Sequence, residues 1–222
     1  MILLVAAGFF AVLNWWAAWF EKKRLIYLAK PASLFFLILW SYYLSGWDGR
    51  LIWFGLALIF SLLGDIFLML SDRFFLFGLA AFLTGHVFYI VGFNNPPAAL
   101  SLWMLAPLVA VSLGYVWIMS TVLRGLHPSL GMRNMRIPVL IYGLVISIMV
   151  FSALNTQINP EWTRQAALLA SLGSILFMFS DSILAYARFV RSIPHEGFWV
   201  MIAYHLGQFG IIAAALVQAG VL

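Results

Sequence analysis

Two aspartates, Asp65 and Asp181, lie deep inside strongly apolar stretches of this chain, at 51–70 and about 165–186. A carboxylate in hydrocarbon costs about 3 kcal/mol or more, so an acid in such a position is interpreted first as functional. Two carboxylic acids in unlike surroundings can divide acid and base work, because one stays protonated while the other ionises. The pair therefore predicts two-carboxylate chemistry inside a membrane.

The composition indicates the solvent around these acids. Of the 222 residues, 65% are hydrophobic and 9% charged, and the mean hydropathy is +1.04, which excludes a soluble globule with a charged surface. A spanning helix needs about 20 mostly apolar residues and satisfies its own backbone in lipid. We therefore predict an all-α, polytopic bundle forming a single integral membrane domain over 1–222. Its eight transmembrane helices are expected at about 2–20, 27–45, 51–70, 74–93, 100–123, 137–155, 165–186 and 197–219.

The orientation follows from the twelve lysines and arginines, nine of which fall in the first, third, fifth and seventh connections. Those nine are Lys22, Lys23, Arg24, Arg73, Arg124, Arg133, Arg136, Arg188 and Arg191. By the positive-inside rule these connections face the cytoplasm and both termini face the other side. The net charge of +5 is spread over separate loops beside anionic lipid, so the lipid bilayer and no nucleic acid is the expected partner. The compact chain favours a bacterial inner membrane, with an internal eukaryotic membrane as the alternative.

Polar residues of the other spans fall at the depth of the two aspartates. Both aspartates lie about two thirds of the way along inward-running spans, and the matching polar residues lie in the first half of outward-running spans. These residues are Lys30, His86, Tyr89, Tyr142, Tyr204, His205 and Gln208. Residues three or four apart share a helix face, as do Ser61 and Asp65. The pattern predicts one polar chamber in the cytoplasmic half, open toward the cytoplasm or the cytoplasmic leaflet.

A weak internal repeat in the sequence predicts that this chamber lies between two halves of the chain. The order of Asp65 and then His86 in the first half recurs as Asp181 and then His205 in the second half. Pro31 and Pro138 open the second and sixth spans in the same way. The order favours two parallel four-helix repeats related by an axis along the membrane normal.

Each of these residues also has a structural interpretation. His86 and His205 could simply bridge helices, and Lys30 could extend its ammonium to the membrane surface. A ridge of small residues on the fourth span predicts close helix packing: Gly78, Ala81, Gly85 and Gly92. Tryptophans near span ends, such as Trp15, are typical of interfacial anchors.

The motifs carry a resemblance to a known family. The segments 61–70, 85–89, 179–185 and 204–208, with Lys30-Pro31 at the head of the second span, resemble the YhhN-like family of eight-helix membrane proteins, which includes lysoplasmalogenases. The resemblance covers essentially the whole chain. It implies a lysophospholipid substrate and hydrolysis of the vinyl ether bond of lysoplasmalogens, giving a fatty aldehyde and glycerophosphoethanolamine or glycerophosphocholine.

That reaction suits two carboxyls. Protonation of the outer alkene carbon gives an oxocarbenium ion, as in glycoside hydrolysis, and water captures it as a hemiacetal that collapses to aldehyde and alcohol. We expect Asp181 to be the acid and Asp65 the carboxylate, although the sequence leaves the reverse order open. Lys30 is expected to hold the substrate phosphate. The remaining polar residues are expected to hydrogen-bond the carboxyls, the glycerol or the attacking water: His86, Tyr89, Tyr142, Tyr204, His205 and Gln208.

Two other functions are compatible with the same residues. Two histidines and two aspartates could bind zinc in principle, as in a membrane hydrolase related to ceramidases. Such a site would have three histidines with an aspartate and a serine, whereas His127 and His195 fall in loops, so no metal or cofactor is expected. A proton-coupled transporter of small molecules or lipids would use the paired aspartates as titrating groups. An enzyme would release aldehyde in detergent without a gradient, whereas a carrier would act only across a sealed membrane. The sequence leaves the oligomeric state open.

Overall fold

Eight long α-helices make up the part of the chain that the computed structural model describes, which is residues 1–97, 101–126 and 135–222. No β-strand occurs within those ranges. Arg133 and His127, both assigned above to a connection, lie outside them. The helices are α1 (Ile2–Trp19), α2 (Lys23–Ser45), α3 (Leu51–Met69), α4 (Phe75–Phe93), α5 (Leu105–Gly125), α6 (Arg136–Asn155), α7 (Arg164–Phe189) and α8 (Glu196–Gln218).

All eight helices are long and apolar enough to cross a membrane, which confirms the predicted fold class. The helix ends differ from the predicted ones where lysine or arginine lies in the first or last turn. The helix α2 begins at Lys23 instead of 27, and α7 continues to Phe189 instead of about 186. Hydropathy placed these basic turns outside the spans, but lysine and arginine can extend helices because their long side chains reach water from the last turn. A 3-10 turn at Leu102–Met104 delays α5 to Leu105.

Two closely packed helix pairs carry the aspartates: α3 packs on α4, and α7 packs most extensively on α8. Glycines make the second contact possible. A Cβ on Gly207 would lie 2.9 Å from the carbonyl oxygen of Gly173 and 2.9 Å from the backbone nitrogen of Phe177. Small residues of this kind let helix backbones approach each other in membranes.

The predicted ridge of small residues on α4 faces α3. A Cβ on Gly85 would lie 3.1 Å from the carbonyl oxygen of Ala57 and 3.3 Å from Ser61 Oγ, and a Cβ on Gly78 would meet the side chain of Leu68. The ridge is therefore a packing surface, as its composition indicates. It brings Gly85, the residue before His86, to the level of Ser61, one turn before Asp65.

The contacts between helices repeat in part along the chain. The α2–α3 contact has its counterpart in α6–α7, and α3–α4 has its counterpart in α7–α8. The first and fifth helices break the correspondence. Helix α1 packs extensively on α2, whereas α5 leaves large apolar side chains such as Leu113, Val116 and Trp117 exposed. The two-repeat arrangement therefore stays a prediction, with which the contacts of the second, third and fourth helices of each half agree and those of the first helix do not.

Candidate active site

A cavity of about 260 Å³ opens at one end of the bundle. All eight helices contribute to its wall, each from the end next to the first, third, fifth or seventh connection. Most of the wall is apolar. Its charged members are Lys30, Asp65, Asp181, Arg188 and Glu196. The cavity corresponds in position to the chamber predicted from the depth of the polar residues.

Asp65 is the more buried carboxyl, with 1% of its surface exposed. Its Oδ1 lies 3.1 Å from the ammonium nitrogen of Lys30 on α2, and its Oδ2 accepts a 2.8 Å hydrogen bond from the hydroxyl of Tyr204 on α8. Lys30 itself is 9% exposed, so it does not extend to the membrane surface. A buried charge needs a partner of opposite charge and further hydrogen bonds, and Asp65 has both.

Asp181 has different partners. Its side chain is 17% exposed, and its Oδ2 accepts a short hydrogen bond from the hydroxyl of Tyr142 on α6. The Nε2 atom of His86 on α4 lies 3.7 Å from the same oxygen. No lysine or arginine pairs with Asp181 among the described residues. The two carboxyls therefore have the unlike surroundings that divided acid and base work requires.

The proton of Tyr142 determines the hydrogen bonding of His86. Tyr142 has one hydroxyl proton, which it donates to Asp181, and its oxygen lies 3.0 Å from His86 Nε2. With the Tyr142 proton on the bond to Asp181, the imidazole donates through Nε2, because the hydroxyl oxygen then only accepts. His86, Tyr142 and Asp181 thus form a short chain of directed hydrogen bonds.

Each of the two carboxyls has a partner from the other half of the chain. Asp65 on α3 is held by Tyr204 of α8, whereas Asp181 on α7 is approached by His86 of α4. Each carboxyl also has one partner from the preceding helix of its own half, Lys30 or Tyr142. The site is complete only when both halves are present.

The remaining predicted residues form a layer behind the wall. Tyr89 donates a hydrogen bond to Gln208 Oε1, and the indole of Trp15 donates a 2.9 Å hydrogen bond to His205 Nδ1. All four side chains are buried or half-buried and do not line the cavity. They couple α4 to α8 and α1 to α8.

The structure thus sorts the nine predicted residues into two groups. Those that line the cavity are Lys30, Asp65, Tyr142, Asp181 and Tyr204. Those that lie behind its wall are His86, Tyr89, His205 and Gln208.

The interpretation of Trp15 as an interfacial anchor was incomplete, because its indole binds His205. Sequence reasoning missed Arg188 and Glu196, which line the cavity near its mouth. The spacing of seven residues between Asp181 and Arg188 is close to two helical turns, and it could have indicated that Arg188 lies on the same helix face as Asp181.

The described residues hold no group of three histidine, aspartate, glutamate or cysteine side chains close enough to share a metal ion. Structural and catalytic zinc sites need three or four such ligands. His195 precedes α8 and stacks on Trp19 with ring centroids 4.2 Å apart, away from the two aspartates. The donor set at the cavity suits proton transfer and hydrogen bonding.

Comparison with known proteins gives one family. The YhhN family profile matches residues 25–215 of the chain. Lysoplasmalogenase TMEM86B of Mus musculus is 31% identical over 135 residues, which are 61% of this chain and 51% of the mouse protein. Lysoplasmalogenase TMEM86B of Homo sapiens is 31% identical over 134 residues, which are 59% of this chain and 49% of the human protein.

The aligned region spans about half the length of these curated relatives. No solved structure matches the chain. Taken with the relatives, the eight apolar helices identify a multi-pass membrane protein.

Proposed function

The chain belongs to the YhhN family, and we propose that it is a membrane hydrolase that cleaves the vinyl ether bond of lysoplasmalogens. The products are a fatty aldehyde and glycerophosphoethanolamine or glycerophosphocholine. Relatives that carry the name lysoplasmalogenase support the reaction class. The observation that carries the proposal is that Asp65 and Asp181 line one cavity with unlike partners.

The partners of each aspartate support a division of roles. Asp65 makes an ion pair with Lys30 and accepts a hydrogen bond from Tyr204, which are the contacts of an ionised carboxylate. Asp181 has a phenol and an imidazole beside it and is the more exposed of the two acids. We assign Asp181 as the acid and Asp65 as the carboxylate that stabilises the cation and activates water.

The first step is protonation of carbon. The Asp181 carboxyl gives its proton to the outer alkene carbon, and the electron pair of the alkene forms the new C–H bond. Positive charge develops on the inner carbon and the ether oxygen. The Asp65 carboxylate stabilises that charge electrostatically in a cavity whose wall is mostly apolar, where such an interaction is stronger than in water.

The second step is capture and collapse. Water attacks the inner carbon while Asp65 takes its proton, which gives a hemiacetal. Asp181, now a carboxylate, removes the hemiacetal hydroxyl proton, and Asp65 returns its proton to the glycerol oxygen as the C–O bond breaks. Both acids recover their starting states, and one water is consumed for each aldehyde released.

The other predicted residues support this cycle from two positions. Tyr142 and Tyr204 line the cavity and can contact the glycerol or the attacking water. His86 orients Tyr142, and the layer behind the wall fixes the helices that carry these groups: Tyr89, His205 and Gln208. The phosphate contact expected of Lys30 stays a prediction, and its ion pair with Asp65 gives it a further role. The apolar wall accommodates the alkenyl chain.

The distribution of lysine and arginine supports a cytoplasmic location for the cavity mouth. The cavity lies at the end of the bundle whose connections carry most of the cations. We therefore propose non-cytoplasmic termini and an active site in the cytoplasmic half of the membrane. We propose a bacterial inner membrane as the location. No cofactor is required by the cycle.

The test is aldehyde release from lysoplasmenylethanolamine by the purified protein in detergent, with and without a chelator. Asp65→Asn and Asp181→Asn should each abolish release, because each removes one proton carrier from the cycle. Asp48→Asn is the matched control, since Asp48 is exposed at the opposite end of the bundle. Release that survives chelation supports metal-free chemistry.

Two outcomes would overturn the proposal. Well-folded wild-type protein that releases no aldehyde would exclude this substrate, and proton-coupled flux in sealed liposomes would then favour the transporter. Full activity in either asparagine variant would exclude two-carboxylate catalysis while leaving the substrate assignment intact.

A further inference from the structure

Two opposite charges lie near the mouth of the cavity, further out than the aspartates. Arg188 is in the last turn of α7, and Glu196 is in the first turn of α8. Both line the cavity, and the catalytic cycle uses neither. Because α7 and α8 pack closely against each other, the cation and the anion belong to one wall.

Arg188 is held in place with hydrogen-bond donors to spare. Its Nη2 donates a 2.9 Å hydrogen bond to Asp72 Oδ1, and its guanidinium lies 4.0 Å from the ring centroid of Phe75. The side chain is still 35% exposed. A guanidinium has five N–H donors in a rigid fork that matches phosphate, so the contact with Asp72 leaves others available.

The position of Arg188 along α7 fits the length of the substrate. It follows Asp181 by seven residues, which is close to two full turns, so both side chains lie on nearly the same face, about 10 Å apart along the axis. In a lysoplasmalogen the inner vinyl carbon and the phosphorus are roughly 8 Å apart when extended, at bond lengths of about 1.5 Å. With the vinyl ether at Asp181, the phosphate reaches Arg188.

Glu196 occupies the corresponding place on α8. It precedes Tyr204, the partner of Asp65, by eight residues, which is about 12 Å along the helix. Its side chain is exposed, and within the described ranges its carboxylate has no ion-pair partner. Val200 and Tyr204 continue the same cavity wall from Glu196 inward. An amine attached to the phosphate would therefore meet a carboxylate.

Resting on the proposed function, we propose that Arg188 and Glu196 form the head-group subsite for a zwitterionic lysophospholipid, with Arg188 binding the phosphate and Glu196 the primary ammonium of ethanolamine. A primary ammonium donates three hydrogen bonds, whereas the quaternary ammonium of choline donates none. The subsite therefore favours ethanolamine over choline. This subsite is the alternative to the phosphate contact expected of Lys30. Lys30 sits at the level of Asp65, about two turns inside α2, so a phosphate there would carry the vinyl ether away from the aspartates.

The test measures binding without catalysis. The ligands are two lysophospholipids with a saturated alkyl ether in place of the vinyl ether, one with phosphoethanolamine and one with phosphocholine. Their dissociation constants are measured on the full chain in detergent by thermal-shift titration. Arg188→Ala should weaken both ligands about tenfold, and Arg188→Lys should recover part of the loss because it keeps the charge. Glu196→Gln should weaken the ethanolamine ligand about fivefold and the choline ligand less, because choline loses only the attraction of the charge, whereas ethanolamine also loses charge-assisted hydrogen bonds.

Matched controls come from charged residues near the same end that do not line the cavity. Arg191→Ala and Glu21→Gln should bind both ligands as the wild type does. On the vinyl ether substrates, Arg188→Ala should raise KM with kcat within about twofold, because the head group is held equally in the ground and transition states.

The outcomes separate this subsite from the proposed function. Selective loss of ligand binding in a protein that releases no aldehyde would support the subsite and overturn the hydrolase. Wild-type binding of both ligands by Arg188→Ala, or by Arg188→Lys and Glu196→Gln if the alanine variant does not fold, would overturn the subsite. Equal weakening of both ligands by Glu196→Gln would overturn the ethanolamine preference.

Discussion

The hydroxyl of Tyr204 on α8 donates a 2.8 Å hydrogen bond to Asp65 on α3, a residue 139 positions earlier in the chain. Asp65 is 1% exposed and Tyr204 is 2% exposed, so this bond is almost fully shielded from bulk solvent. The contact ties the base of the proposed cycle to the helix that packs most closely on α7, which carries the acid. The relative position of the two carboxyls therefore depends on α8.

Removing this one hydroxyl should reduce catalysis, because Asp65 then loses its hydrogen-bond donor on α8. A hydrogen bond to a charged group contributes about 1.5–3 kcal/mol, so Tyr204→Phe should lower kcat/KM for aldehyde release about tenfold to a hundredfold. Tyr27→Phe is the control, because Tyr27 donates to the carbonyl of Met69 from an exposed position outside the cavity. Equal rates in the two variants would mean that Tyr204 does not act on Asp65.

The ion pair between Lys30 and Asp65 should appear as a coupling in stability. Lys30→Met leaves Asp65 buried without its cation, and breaking a buried pair in this way costs about 3–5 kcal/mol. Adding Asp65→Asn should restore most of the free energy of unfolding, because the lone charge is then gone. Denaturant titration of the two single variants and the double variant measures the coupling. Simple addition of the two losses would refute the pair, whereas aldehyde release should be absent from all three variants.

Membrane orientation can be measured on single introduced cysteines, because the chain has none. The basic connections predict that residue 21 faces the cytoplasm and residue 48 the opposite side. An impermeant maleimide added to intact cells should therefore label Asp48→Cys, and should label Glu21→Cys only after permeabilisation. Both positions are exposed, so access is not limited by packing. The reverse labelling pattern would show that the chain has the opposite orientation, with the cavity mouth on the non-cytoplasmic side.

The depth of the site could be predicted from the sequence, because helix rise and alternating helix direction fix how deep each residue lies. This is why Lys30, Asp65, Tyr142, Asp181 and Tyr204 were expected at one level and all line one cavity. Apolar length alone was enough for the eight helices. Their exact ends at basic turns were not predictable, because hydropathy does not register a charged side chain that reaches water from inside a helix.

Rotation about the helix axis could not be predicted in the same way. His205 has the correct depth but turns toward α1, where the indole of Trp15 binds its Nδ1, and Tyr89 turns toward Gln208 instead of the cavity. Depth constrains one coordinate, whereas the neighbour that a side chain meets depends on the packing of every helix around it. Arg188 and Glu196 were missed for a related reason: charges at helix ends are usually solvated, and only the packed structure shows that these two line the cavity.

The close contact at Gly207 should set the distance between α7 and α8, and the geometry of the site depends on that distance. Gly207 lies one turn after Tyr204, and a Cβ there would meet backbone atoms of Gly173 and Phe177 at 2.9 Å, so the two helices must separate. Overpacking of this kind costs about 1–3 kcal/mol. Gly207→Ala should therefore lower both the free energy of unfolding and the rate of aldehyde release.

Gly114→Ala is the matched control for this substitution. A Cβ at Gly114 has nothing within 4 Å, and alanine is preferred to glycine in a helix by about 1 kcal/mol, so this variant should be as stable as the wild type or slightly more so. Denaturation in detergent and aldehyde release are measured on both variants. If Gly207→Ala were as stable and active as Gly114→Ala, the close approach of α7 and α8 would not be what holds Tyr204 on Asp65.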